Sequence, residues 1–325
     1  MNTTPQFYLG IDISKRHFDV ALLAESGKRK NKKFNNTDTG FARLLSWLEQ
    51  QHAIDIHACM EATNVYGNRL AEYLFDQGIP ISMVNPTRVK GFAQSELLRS
   101  KTDKQDASLI ARFCQAMKPR LWEPEPLAIR QLKALVKRLD MLVEMRQQEV
   151  NRLDVADDVI RPDIEHHIQE LDQRILKLRE EIKSHIDDDP GLKEQKELLL
   201  SIPGIGEKTL ATLLAYFSSI SRFDNAKKLA SFCGVAPRVR ESGTSVKGRG
   251  AMSKIGSSHL RKSLFFPAMV ALRHNPALKQ LRDRLVEKGK PKMVIIGAAM
   301  RKLIHIIYGV LKNRTPFDEK LAIRA

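Results

Sequence analysis

The sequence is poor in cysteine, and that shortage excludes two classes of protein. Only three cysteines occur among 325 residues, at Cys59, Cys114 and Cys233. They lie far apart in mostly apolar surroundings, so neither a disulfide framework nor a thiolate metal site is expected. Aromatic residues are also sparse, at 6%. We expect three buried free thiols in a reducing compartment, which favours a cytoplasmic protein.

The sequence also lacks the segments that insert into membranes. We find no unbroken run of about 18 apolar residues. The N-terminal stretch MNTTPQFYLG has no basic region followed by an apolar one, as a secretory signal would have. We therefore expect no membrane partner.

Positive charge, by contrast, is abundant and concentrated. The net charge is +16, and the segment from Gly234 to Lys302 holds sixteen Lys or Arg against three acids, so it carries +13 of the total. A local basic excess of this kind is typical of proteins that bind a phosphate backbone. The apolar content of 42% over 325 residues is ample for more than one core. The composition predicts a multidomain protein with a nucleic-acid partner.

Residues 1–120 alternate strand and helix patterns. The strand patterns are FYLGIDI, FDVALLA, KRKNKKFNN, IDIHACME and IPISMVN, and the helix patterns are TGFARLLSWLEQQ, VYGNRLAEYLFDQG and DKQDASLIARFCQAM. Three strands followed by alternating helices and strands predict an α/β sheet of mixed strand direction. This order resembles the ribonuclease H-like fold.

Residues 121–190 predict a helical arm. The proline-rich stretch KPRLWEPEP reads as a linker, and a long helix is expected from Leu127 to about Leu153. Beyond it, a heptad seam is formed by Ile164, Ile168, Leu171, Ile175, Leu178 and Ile182. The seam predicts a coiled-coil hairpin or a dimer arm, with ordinary two-helix packing as the alternative. For the acids of IDDDPG, a hinge with a helix-capping Asp is favoured over a metal site.

Residues 191–325 open on two apolar helical stretches around the sequence PGIG. This pattern predicts a helix-hairpin-helix, in which Gly204, Gly206 and Lys208 approach a phosphate. The alternative is a simple turn between helices with a glycine cap. A P-loop is excluded because Glu207 separates Gly206 from Lys208.

The stretch SGTSVKGRGAMSKIGSSHLRK, from Ser242 to Lys262, contains five Lys or Arg and no acid. Either this loop lies on a polyanion or one of its serines attacks that polyanion. From the residues alone, Ser242, Ser245, Ser253 and Ser257 are equal candidates for the nucleophile. The alternative is that all four are ordinary loop residues. The side chains expected to bind nucleic acid here are Arg238, Arg240, Lys247, Arg249, Lys254, Arg261 and Lys262.

Four carboxylates stand where a metal site would need them. Asp12 and Glu61 each end an apolar strand, and a charged group there is costly unless it meets solvent or a cation. Asp103 and Asp106 share one helix face. In a ribonuclease H-like sheet these positions converge and would hold one or two Mg²⁺ ions.

Each of these acids, taken singly, also has an explanation that does not involve a metal site. Asp103 and Asp106 could form surface ion pairs with Lys101 and Lys104, and Asp19 or Asp55 could be mistaken for ligands. A GID strand followed by a hairpin also begins actin-like ATPases and sugar kinases, but the glycine-rich phosphate loops of those folds are missing.

Together, GIDISK, EAT, KTDKQDA and RESGTSVKGRGAMSK resemble the DEDD-type transposases of bacterial insertion sequences. The family is the IS one-ten family of bridge-RNA-guided recombinases, and the resemblance covers essentially the whole chain. It implies a RuvC-like domain (1–120), a linker helix with a coiled coil (121–190) and a transposase domain (191–325). It also implies that Asp12, Glu61, Asp103 and Asp106 bind Mg²⁺ and that Ser242 attacks DNA, forming a phosphoserine.

The resemblance further implies the partners. They are donor and target DNA, a structured noncoding guide RNA and further copies of the chain in a dimer or tetramer, in the cytoplasm with the bacterial nucleoid. Two other functions stay open. A metal-dependent nuclease, such as a junction resolvase, would use the same acids with water and would not need Ser242. A non-catalytic nucleic-acid-binding module would tolerate loss of all four acids.

Overall fold

The computed structural model describes residues 6–62, 65–96, 103–238, 241–242, 246–247 and 251–320. For residues 65, 103, 104, 241, 242, 246 and 247 it describes the backbone alone. The chain divides into two compact units, Met1–Pro124 and Glu125–Ala325. The finer division at residues 120 and 190 stays a prediction.

The first unit is built on a five-stranded sheet of order β3-β2-β1-β4-β5. Its strands are β1 (Phe7–Ile13), β2 (His17–Ala24), β3 (Arg29–Asn35), β4 (Ile56–Glu61) and β5 (Ile81–Val84). The first three strands pair antiparallel, whereas β4 is parallel to β1 and β5 is parallel to β4. All five predicted strands form, and the mixed α/β class is confirmed.

Helices cover both faces of this sheet. They are α1 (Asp38–Gln50), α2 (Asn68–Asp76), α3 (Pro86–Ser95) and α4 (Asp103–Met117), with a 3₁₀ turn at Val65–Gly67. Because side chains alternate along a strand, Leu9 and Ile11 enter a core that includes α1 and α2. Tyr8 enters the opposite core, which includes α3 and α4.

A glycine lets α4 lie directly against β1. A Cβ atom on Gly10 would stand 2.0 Å from the carbonyl oxygen of Ala107 and 2.3 Å from the amide nitrogen of Ala111. Further along α4, the Cys114 thiol donates to the carbonyl oxygen of His57 at 3.7 Å, and His57 is the register partner of Tyr8. Helix α4 therefore runs antiparallel to β1.

Gly10→Ala should destabilise the protein by about 3 kcal/mol, because the added methyl group meets backbone atoms that cannot rotate away. The matched control is Gly91→Ala in α3, where a Cβ atom meets nothing within 4 Å and helix propensity favours alanine by about 0.5–1 kcal/mol. Urea unfolding would measure both changes. Equal effects of the two substitutions would contradict the close helix–strand contact.

His57 is a buried, hydrogen-bonded histidine in this unit. Its side chain is 6% exposed, and its Nε2 lies 2.8 Å from the hydroxyl of Ser82. That hydroxyl lies within hydrogen-bond distance of the carbonyl oxygens of Pro119 and Arg120. Burial lowers the pKa of His57, so the folded protein holds the ring neutral near pH 7.

The lowered pKa of His57 makes stability depend on pH. As pH falls through the unfolded-state value of about 6.5, the unfolded chain binds a proton that the folded protein resists, so the free energy of unfolding should decrease. Denaturant titrations at pH 7.5 and 5.5 would measure the loss. It should shrink in His57→Gln and persist in His17→Gln, which changes an exposed ring; an unchanged loss in His57→Gln would refute this account.

The second unit begins with a helical hairpin. Helix α5 (Leu127–Leu153) packs along α6 (Arg161–Asp188). The predicted seam is buried at Leu171, Ile175, Leu178 and Ile182 and half-buried at Ile164 and Ile168. The seam thus packs within one chain, and its use as a dimer arm stays a prediction.

The remaining elements of the second unit are mostly helical. They are α7 (Pro190–Leu200), α8 (Glu207–Phe217), a 3₁₀ turn (Ile220–Arg222), α9 (Ala226–Phe232), β6 (Pro237–Arg238), β7 (Glu241–Ser242), β8 (Val246–Lys247), β9 (Ala251–Met252), α10 (Ser258–His274), α11 (Pro276–Glu287) and α12 (Lys292–Asn313). Asp189 caps α7 by accepting from the amide of Leu192 at 2.8 Å. The helix-capping interpretation of IDDDPG is therefore correct.

The sequence has no unbroken apolar run of membrane-spanning length, but α12 is a long and mostly apolar helix. Among the described residues it is the one helix long and apolar enough to cross a membrane by length and composition, with a mean hydropathy of 1.7. Half of that window is buried inside the protein, in the core of the second unit. Such a helix is what a large helical core requires, and it is weak support for a membrane span.

The cysteine prediction holds: Cys59, Cys114 and Cys233 are buried free thiols. Burial raises the pKa of Cys233 to about 12, and a hydrogen bond between Cys114 and Cys59, together with burial, raises the pKa of Cys114. Since the thiolate is the reactive form, these groups serve packing.

Candidate active site

Two of the predicted acids stand side by side at one edge of the sheet. Strands β1 and β4 are parallel, with Ile11 paired to Met60, so Asp12 and Glu61 follow at the carboxyl ends of neighbouring strands. Side chains alternate along a strand. Asp12 and Glu61 are therefore on the face of the sheet that α4 covers.

The other two predicted acids lie in the first turns of α4. Because this helix runs antiparallel to β1, its N-terminal end lies toward the carboxyl ends of β1 and β4. The backbone of Asp103 and the half-buried residue Asp106 occupy that end. We call Asp12, Glu61, Asp103 and Asp106 the acidic edge.

The acidic edge offers the oxygen ligands that Mg²⁺ prefers, but the described side chains are not a preformed metal cluster. No group of three or more His, Cys, Asp or Glu among the described residues could hold a metal ion, and the side chain of Asp103 lies outside the description. Asp12, Glu61 and Asp106 each already interact with another group in the chain. The metal set stays a prediction.

Two neighbouring acids differ from the predicted set. Asp19 is the cross-strand partner of Asp12, yet it forms an ion pair with Lys33 at 3.4 Å and its side chain is 12% exposed. Asp55 lies at the opposite end of the sheet, before β4, where it lines an open concavity of about 470 Å³. Asp55 is therefore remote from the acidic edge, whereas Asp19 lies beside Asp12 and is paired with Lys33.

The sequence PGIG forms the turn between α7 and α8. Gly204 adopts a φ of +108°, and a Cβ atom there would stand 2.5 Å from the Cβ atom of Ala271 in α10. Gly206 precedes α8 as its N-terminal cap residue, with open space at its Cβ position. Packing alone thus requires glycine at 204, whereas Gly206 and the exposed Lys208 face open space. Phosphate binding at this turn stays a prediction.

The loop that carries Ser242 is a hairpin within a hairpin. At its base Pro237 pairs with Met252 and Arg238 with Ala251. Nearer its tip Glu241 pairs with Lys247 and Ser242 with Val246. We call residues 237–252 the serine loop. Its backbone pairing places Ser242 beyond the anchored base.

Arg261 braces the base of this loop. Its guanidinium donates to the carbonyl oxygen of Lys254 at 3.1 Å and to that of Gly234 at 3.4 Å. These two carbonyls lie on opposite sides of the serine loop in sequence, so one side chain ties its two ends together. In the structure the Nη1 atom of Arg261 has this internal role, and its expected contact with nucleic acid stays a prediction.

Two of the competing serines have structural roles. The hydroxyl of Ser257 caps α10 by accepting from the amide of Leu260 at 3.2 Å. The hydroxyl of Ser253 accepts from the amide of Ile255 at 3.4 Å. Ser245 lies outside the described residues, and for Ser242 the backbone alone is described. A cap and a local turn explain Ser257 and Ser253 without chemistry.

The other predicted nucleic-acid-binding residues are partly observed. Arg238, Lys254 and Lys262 are exposed. Arg240 and Arg249 lie outside the described residues, and Lys247 is described by its backbone alone. Their contacts with nucleic acid stay predictions.

Comparisons with known proteins bear on both units. A DEDD-type family model named for IS110 and described as "Transposase" matches residues 9–160. A second model, described as "Transposase IS116/IS110/IS902 family", matches residues 196–282. The matched ranges include the acidic edge, the PGIG turn and the serine loop.

Full-length relatives agree with these models. Pilin gene-inverting proteins of Moraxella bovis and Moraxella lacunata are each 35% identical over 317 residues, covering 97% of this chain and 98% of the relative. The transposase for insertion sequence element IS1111A of Coxiella burnetii is 24% identical over 299 residues, covering 82% of this chain and 78% of the relative. The chain therefore belongs to the DEDD-type transposases of the IS110 family.

Proposed function

We propose that this protein is an RNA-guided DNA recombinase that cuts and rejoins strands through a covalent bond between Ser242 and DNA. The observation that carries the proposal is the acidic edge, together with a paired, arginine-braced loop that presents Ser242. A structured noncoding RNA would select donor and target DNA, and two or four copies of the chain would act together in the bacterial cytoplasm.

In the first step the Ser242 hydroxyl attacks a DNA phosphodiester. A bond forms between its oxygen and phosphorus, the bond from phosphorus to one deoxyribose oxygen breaks, and the proton of the serine ends on that leaving oxygen. In the second step a strand-end hydroxyl attacks the phosphoserine and restores the serine. One phosphoester replaces another at each step, so no nucleotide cofactor is needed, consistent with the missing P-loop.

Asp12, Glu61, Asp103 and Asp106 would hold the metal. Bound there, Mg²⁺ would offset charge on the phosphate and favour the ionised form of the attacking hydroxyl. Carboxylates at the ends of β1, β4 and α4 have rigid attachments, which favours a fixed site. Without a cation the same acids would repel the DNA backbone.

The choice of Ser242 among the loop serines rests on the family resemblance and on hydrogen bonding. Ser253 and Ser257 have structural roles, and Ser242 lies on the outer hairpin. Arg261 would act as a positioning residue, because it joins both ends of the loop that carries the nucleophile.

A metal-dependent nuclease that uses water is the alternative. The name of the Moraxella relatives, "pilin gene-inverting protein", favours rejoining, since inverting a gene requires that every cut strand be resealed. A nuclease that uses water forms no phosphoserine, so it keeps no covalent bond to DNA from which the strand could be resealed.

Asp12→Asn, Glu61→Gln and Asp106→Asn should each reduce strand cleavage by at least about 100-fold, a typical loss when one transition-state charge stabiliser is removed. DNA binding should change little. Cleavage of a plasmid carrying the ends of the element would be measured in Mg²⁺, with Asp19→Asn as the matched control on the same face. Near wild-type cleavage by any of the first three variants would remove that residue from the site.

A covalent adduct separates the recombinase from the nuclease. The protein, Mg²⁺, the RNA transcribed beside its gene and a DNA target nicked near the exchange point should yield a protein–DNA complex that survives denaturation. Peptide mass spectrometry should locate the linkage at Ser242. Ser242→Ala should lose both adduct and cleavage, whereas Ser245→Ala should keep the adduct. Persistent cutting by Ser242→Ala, with no adduct in the wild type, would establish water as the nucleophile.

A further inference from the structure

Helix α12 carries cations in a position where a core helix would be expected to carry none. From Ile295 to Leu311 no residue of this helix is fully exposed. Within that stretch stand Arg301, Lys302 and His305, each half-buried. Partial burial of charge is costly unless a counter-charge is near.

These residues form one face with cations from two neighbouring helices. Position 305 is four residues after 301 and three after 302, so the three side chains project from the same side of α12. The helix packs on α9 and α11. Burial lowers the pKa of His305, and the charges of Arg301, Lys302 and Lys227 of α9 lower it further. Burial and Arg284 of α11 likewise lower the pKa of Lys302.

We call Lys227, Arg284, Arg301 and Lys302 the α12 basic cluster. None of the ion pairs formed among the described residues involves any of its four cations. The Nε2 atom of His305 is buried without a hydrogen-bond partner in the described part of the chain. Within the described part of the chain no acid forms an ion pair with these like charges, and an external anion would relieve their repulsion.

The cluster is close to the serine loop. A Cβ atom on Gly297, one helical turn before Arg301, would stand 3.0 Å from the terminal methyl carbon of Met252. Met252 forms the base of the serine loop with Pro237. The same helix therefore touches the loop base and carries the cations.

We propose that the α12 basic cluster binds the backbone phosphates of double-stranded DNA next to the serine loop. The inference rests on the proposed function, because it takes DNA as the substrate. Four cations on three packed helices match a row of phosphates better than a single small anion. Arg284, Arg301 and Lys302 lie in the basic segment from Gly234 to Lys302, but the sequence did not single out any of the four as a nucleic-acid-binding residue.

The test compares the full-length wild type with Arg301→Gln/Lys302→Gln, using a 30-base-pair DNA duplex in EDTA so that no chemistry occurs. Fluorescence anisotropy would give affinity over a range of salt concentrations. Each lost phosphate contact should lower the slope of log affinity against log salt by about 0.9, so the double variant should lose about 1.8. The matched control is Lys28→Gln/Arg29→Gln in the first unit, whose slope should stay within the error of the wild type.

A second variant keeps the test independent of core packing. Lys227→Gln/Arg284→Gln changes two exposed side chains and should lower the slope by a similar amount. Without DNA, the melting temperature of Arg301→Gln/Lys302→Gln should equal or exceed that of the wild type. A clear drop would show that the half-buried stems of Arg301 and Lys302 contribute to packing, and the slope of Lys227→Gln/Arg284→Gln would then decide the test.

Other outcomes are equally decisive. An unchanged slope in both cluster variants overturns the inference and leaves the proposed recombinase intact. Loss of binding to an RNA duplex of the same length, with DNA binding unchanged, assigns the cluster to RNA and overturns it too. Failure of the wild type to bind DNA contradicts the inference and the proposed function together.

Discussion

The contact between Gly10 and α4 fixes the geometry on which the rest of the first unit depends. With no side chain at Gly10, the backbone of α4 approaches β1 so closely that a single methyl group would stand 2.0 Å from the Ala107 carbonyl oxygen. The contact sets both the depth and the direction of the helix. Since Cys114 reaches the backbone of His57, the acidic N-terminal end of α4 lies toward the ends of β1 and β4. The acidic edge is thus a consequence of backbone packing.

The sequence predicts the single elements of this unit well because alternation and periodicity are local properties. Strand β1 reads from FYLGIDI and α4 from DKQDASLIARFCQAM without knowledge of any partner. The adjacency of Asp12 and Glu61 is not local, since it requires β1 and β4 to pair in parallel with Ile11 beside Met60. Only the resemblance to a known strand order suggested it. Asp19 shows the same limit, because its ion pair with Lys33 depends on the register of β2 and β3.

In the second unit, two residues predicted to contact phosphate also have structural roles that the sequence did not indicate. Gly204 and Arg261 were both assigned to phosphate contacts, and packing against Ala271 and the brace on Gly234 and Lys254 explain them first. Arg301 and Lys302 show a different limit, because the sequence only places them within the basic segment from Gly234 to Lys302. They sit in a strongly apolar run, so the sequence shows a core helix with two charges and gives no sign that Lys227 of α9 lies near them. Clusters made from three helices become visible only once those helices are packed.

The two units offer DNA opposite electrostatic surroundings, and the proposed chemistry needs both. The acidic edge concentrates negative charge where, in the proposed mechanism, a phosphate would react, and this is unfavourable until a cation is present. The serine loop and the α12 basic cluster concentrate positive charge, which is unfavourable until an anion is present. DNA and a metal ion together would satisfy both. The proposed chemistry therefore needs the acids of the first unit and Ser242 of the second to act on the same phosphodiester, from one chain or from two.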